Sequence, residues 1–120
     1  MAVELVDMRT RDYMSMSHSD ANDVMFEDFL ALVTYLIELA GITRDDLNED
    51  AWICLDCGYP EDSLGYVVDE VIVRDVPVPS WWFEQLACIP RFRPPYTPKE
   101  IQTIAGHITN RVDHPAPWHM

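Results

Sequence analysis

Ser63 lies in the stretch EDSLGYVVDE, between Asp62 and Leu64 and just ahead of an apolar run. At a helix start, a short side-chain oxygen can accept a bond from an orphan amide of the first turn, so Asp62 or Ser63 can serve as a cap. A hydroxyl in the same place can instead anchor a covalently carried group. The three cysteines form a second set. Cys54 and Cys57 with Gly58 have the C-x-x-C-G form of a zinc knuckle, in which two thiolates on a tight turn face one metal. No second C-x-x-C exists, so only Cys88 and His107 could complete a four-ligand site; the competing expectation is that the cysteines are small buried apolar residues. Trp81, Trp82 and Phe83 could line an apolar pocket for a carried chain or a partner, or close one end of a core. His18, His107, His114 and His119 are scattered, and no serine or cysteine has a base and an orienting group in view. The chain therefore does not read as an enzyme.

Helical elements are needed to position these groups. Phe26, Phe29, Leu30, Val33, Leu36, Ile37 and Ala40 recur at three and four residues, which predicts a helix from about Asn22 that ends at Gly41. GITRDDLNEDAW reads as a structured loop, with Thr43 and Asp46 forming a capped turn. Gly58 and Pro60 break the chain before the serine. Leu64, Val67, Val68, Val71 and Ile72 keep helical spacing, although VVDEVIVRDV is rich enough in β-branched residues for a strand to compete. Helix is preferred because strict alternation is absent, and the run should bury against Phe29, Val33 and Ile108. Ser80 can cap a short helix through WWFEQLACI. Thr97, Pro98 and Glu100 open a last one whose inner face is Ile101, Ile104, Ala105, Ile108 and Val112. The expected fold is all-α: a small four-helix bundle with a long first loop. The domain should cover residues 22–112, with a mobile leader over 1–21 and a frayed tail over 113–120.

In a chain of 120 residues, 21 acidic against 8 basic side chains give a net charge of −13. Such a surface repels nucleic acid and anionic membrane and attracts partners that carry Lys and Arg patches. No segment is an apolar membrane span, and MAVELVDMRTRDY has no apolar signal core, so a cytoplasmic protein with reduced thiols is expected.

The order of long helix, long loop, and serine ahead of a second helix resembles the acyl carrier protein family, including the peptidyl carrier domains of synthetases. Gly41, Ile42, Asp45, Asp46 and Leu47 match the first part of the family pattern, and Asp56, Gly58, Asp62, Ser63 and Leu64 match the second. Pro60 and Glu61 stand between the glycine turn and the serine like an insertion. The resemblance implies a phosphopantetheine arm on Ser63, flanked by Asp62 and Leu64 and donated from coenzyme A by a phosphopantetheinyl transferase. It also implies an acyl or aminoacyl thioester on the arm, and Asp69 and Glu70 as contacts for the basic docking surfaces of acyl-handling enzymes. The rival reading is an acidic protein-binding module, such as an inhibitor, immunity or decoy protein, with no prosthetic group.

Overall fold

Ser17 sets the start of the longest helix. Its hydroxyl accepts from the Asp20 amide, and α1 runs from His18 to Ala40 until Gly41, in the left-handed region at φ 66°, closes it. Four further helices follow: α2 (Glu49–Asp56), α3 (Pro60–Val73), α4 (Ser80–Cys88) and α5 (Pro98–Gly106). Short 3-10 turns cover Met8–Thr10, Tyr13–Ser15 and Pro117–His119. The only strands among the described residues are β1 (Val78–Pro79) and β2 (Arg111–Val112), which pair in parallel with Val78 opposite Arg111. This architecture is that of a computed structural model, which describes residues 5–119.

The all-α expectation holds, and the β-branched run 66–73 is helical. Its spacing decides the matter: Leu64, Val67, Val68 and Val71 are all buried on one side of α3. That side packs against α1, α2 and α5, so α3 lies at the centre of the bundle. Ile72 was expected inside as well, but it is 43 % exposed, because the 100° step carries it past the buried arc. Phe29, Leu32, Val33 and Leu36 supply the facing side of α1, each contributing about 1.5 to 3 kcal/mol by leaving water.

Three expectations about the elements are corrected. The segment expected to stay a structured loop contains α2. Asn48 caps it by accepting from the Asp50 amide, and Glu49 and Asp50 in the first turn complement the helix dipole. Ser80 does not cap α4; its hydroxyl reaches across to the Val112 carbonyl at 3.2 Å, tying the helix start to β2. Val112 accordingly lies in a strand and not on the face of α5, which ends at Gly106.

Neither end of the chain behaves as expected in the described residues, and residues 1–4 and 120 lie outside them. Met8 and Tyr13 are buried in the core. The Met8 amide donates to Gln85 Oε1 at 2.6 Å. Tyr13 donates its hydroxyl to Asp28 at 2.7 Å, and Arg11 grips both oxygens of that carboxylate at 3.1 and 3.2 Å. Asp28 is only 4 % exposed, so these partners offset the cost of burying its charge. At the other end Ala116 is buried, and Trp118 meets Trp81 edge to face at 5.3 Å. Residues 5–17 and 113–118 pack onto the bundle because Met8, Tyr13 and Ala116 cover apolar surface that the five helices leave open.

Candidate functional site

Pro60 determines where Ser63 falls. Proline suits the first helical position, where its missing N–H costs nothing, and α3 therefore begins at Pro60 and not at the serine. Tyr59 precedes it without a side-chain cap bond. Ser63 is consequently the fourth helical residue, turned inward and 0 % exposed. Its Oγ donates to the Ala51 carbonyl of α2 at 2.8 Å. The hydroxyl neither caps nor meets solvent; it satisfies its own polarity between two packed helices. This corrects the expectation of an exposed hydroxyl at a helix start. Leu64 is likewise fully buried core, with no exposed surface to flank an arm.

Asp62 does not cap either. It is exposed, and its carboxylate accepts from the Tyr96 hydroxyl at 2.5 Å. That bond, together with partial burial, pushes Tyr96 up to about 12. Further along the same helix Tyr66 is 40 % and Val73 79 % exposed, and Asp69 is exposed too. Residues 62, 66, 69 and 73 step by four, three and four, so the four side chains form one stripe spanning about 16 Å at 1.5 Å per residue. Glu70 lies off this line. Arg74 holds it at 3.2 Å, and the same guanidinium reaches Asp46 at 3.0 Å and the Ala40 carbonyl, fastening α3 to the end of α1. Of the two acids expected at a docking face, Asp69 is available and Glu70 is engaged within the fold.

The four residues that could have formed a zinc site are not brought together: among the described residues no group of three or more His, Cys, Asp and Glu side chains is placed to hold a metal ion. Cys57 is exposed at the end of α2, which corrects the expectation that the cysteines are buried apolar residues; Cys54 and Cys88 are half-buried. Burial and the nearby Asp62 carboxylate push the Cys54 thiol up, and burial raises Cys88, which keeps both in the protonated form. Trp81 and Trp82 belong to the core, where the Trp82 Nε1 donates to the Leu32 carbonyl at 3.0 Å. Phe83 is half-buried beneath the Arg111 guanidinium, 3.8 Å from its ring centre.

One concave feature had no signal in the sequence. Beside the N-terminal half of α1 lies an open cleft of about 370 Å³ whose floor includes Phe26, Phe29 and Phe92. It adjoins a second cleft, of about 340 Å³, against Tyr13, Met14 and Met16. His18, Met25 and Arg91 line both, so the two are lobes of one groove. Arg91 Nη2 and His18 Nδ1 are 3.2 Å apart where the two lobes meet. In the first lobe Arg93 pairs with buried Glu61 at 3.2 Å and stacks over Phe26 and Tyr59. The groove joins residues 73 positions apart in the chain, and only the tertiary fold can reveal that. No family model, curated protein or solved structure matches the chain. Among the described residues no helix is long and apolar enough to cross a membrane.

Proposed function

We propose that the chain is an acidic protein-binding module that docks a basic partner surface along the exposed stripe of α3. The observation that carries this reading is the alternation of Asp62, Tyr66, Asp69 and Val73 on one solvent-facing line. Interfaces gain affinity from aromatic and aliphatic residues that become desolvated, while the charges around them steer approach and select the partner. Here an aromatic ring is held between two carboxylates, with an aliphatic side chain beyond the second, on a molecule whose field already attracts cations at −13.

A phosphopantetheine arm on Ser63 forms no part of this reading. To accept it, the hydroxyl would have to leave the Ala51 carbonyl, and the α2–α3 contact would have to open. The reading is tested by placing a photo-crosslinking amino acid at position 66 in the native host. A discrete adduct with one protein is expected, lost in Asp69→Lys and kept in Ser63→Ala. Absence of any discrete adduct, or an adduct indifferent to Asp69→Lys, would defeat the docking face.

A further inference from the structure

We infer that the two-lobed groove beside α1 binds a short peptide segment in which one carboxylate side chain lies between two apolar ones, with a basic residue alongside. This goes beyond the docking stripe, which lies on the solvent face of α3; the groove is walled by α1, the leader and the loop after α4, with only buried Glu61 contributed by α3.

The argument rests on charge and shape together. Five of the eight basic residues, Arg9, Arg11, Arg44, Arg74 and Arg93, are ion-paired with carboxylates of the chain itself. Of the other three, Lys99, Arg111 and Arg91, which have no carboxylate partner among the described residues, only Arg91 lines the groove, although acids outnumber bases 21 to 8 and Asp23 lines the same lobe. Among the described residues its guanidinium meets the His18 ring nitrogen, a weak partner for a planar fork built to take a carboxylate on two N–H groups. Arg91 and His18 stand at the junction of the lobes and not at either end, so an anion bound there has apolar space on both sides. One lobe offers the half-buried rings of Phe26 and Phe92. The other offers Met14 and Met16, whose unbranched thioethers adapt to varied side chains. A compact molecule fills one lobe, whereas a peptide fills two lobes and the junction. Asp23 supplies the place for a cation, and the charge of −13 disfavours any occupant that is net negative. The occupant is therefore an apolar–acidic–apolar segment carrying a compensating lysine or arginine.

The probe is a fluorescein-labelled peptide of the order lysine, leucine, glutamate, phenylalanine, lysine, titrated with the full chain and read by fluorescence anisotropy. Saturable binding is expected, weakened at least about tenfold when glutamine replaces the peptide's glutamate, and equally by Arg91→Gln. Met14→Glu, at a residue 82 % exposed and so unable to disturb the core, should also weaken it, whereas Lys99→Gln should not. No saturable binding, equal binding of the glutamine peptide, or indifference to Arg91→Gln overturns the proposal. Competition by dodecanoate that is as effective as unlabelled peptide overturns it in favour of a site for small amphiphiles. None of these results depends on Asp69, so failure here and failure of the α3 stripe are separable.

Discussion

At the scale of single residues, a proline three positions earlier fixes the chemistry of a serine. Pro60 starts α3, which turns Ser63 inward, and the same turn of helix leaves Asp62 outside to meet Tyr96. Incubation with coenzyme A, magnesium and a broad-specificity phosphopantetheinyl transferase should leave the mass of the protein unchanged; addition of one phosphopantetheine would restore the carrier reading. Ser63→Val should destabilise by about 1 to 3 kcal/mol in denaturant unfolding, because extra methyl volume enters a closed α2–α3 contact and the hydroxyl bond is lost. A neutral result would mean that the contact is looser than full burial implies. Tyr96 gives a second test. Its hydroxyl is held protonated by Asp62, up to about 12 from an ordinary 10.0. A raised folded-state value means that the bond contributes in full below the ordinary tyrosine range and is lost as pH rises through about 12. Tyrosinate absorbance should show Tyr96 titrating late beside Tyr13 and Tyr35, which burial also raises, and Asp62→Ala should return only the Tyr96 share toward the ordinary range.

At the scale of elements, legibility in the sequence followed local physics. The end of α1 and the start of α5 are readable because cap and apolar spacing lie within a few residues there, at Gly41 and Thr97, whereas α1 begins at His18, capped by Ser17, ahead of the expected Asn22, and α5 stops at Gly106, short of Ile108. α2 is hidden by the continuous run Ala51 to Leu55, which has no helical period, although Asn48 with Glu49 and Asp50 is a start signal in plain view. The leader has no period at all, because it folds as 3-10 turns whose buried residues answer distant partners: Met8 to Gln85, and Tyr13 to Asp28. Asp28 was the available clue, since a carboxylate set within an apolar helix face needs partners from elsewhere. Tyr13→Phe should cost about 1.5 to 3 kcal/mol, as a bond to a buried charge is lost while the ring stays. The leader also carries an acid-labile anchor. Asp7, held by Arg9 and then by Gln85, is lowered from 3.8 to about 2. A lowered value contributes stability above the ordinary carboxylate range and loses it as pH falls through the folded one. Protease sensitivity within residues 5–17 should therefore rise as pH falls from 3.8 to about 2, and Asp7→Asn should bring that sensitivity to neutral pH.

At the scale of the whole molecule, two electrostatic effects oppose each other, and salt separates them. The charge of −13 makes the folded chain repel itself at long range, while exposed pairs such as Arg44–Asp56 and the Arg74 cluster attract at short range. Exposed pairs are worth about 0 to 1 kcal/mol each, and few are present. The repulsion sums over the whole surplus of acids, and it fades once the screening length shortens to about 10 Å at 0.1 M salt. Repulsion should win, so Tm should rise as salt is raised from near zero to about 0.15 M. Docking along α3 should respond with the opposite sign, because the same screening weakens attraction to a basic partner. Measured on one preparation, the fold should strengthen and partner affinity should fall over the same range of salt. Asp69→Lys should flatten the affinity curve while leaving the Tm curve nearly unchanged, since it removes a contact charge from the stripe but barely alters a net charge of −13. A Tm that falls with added salt would show that the local pairs, and not the acidic excess, govern the stability of the bundle.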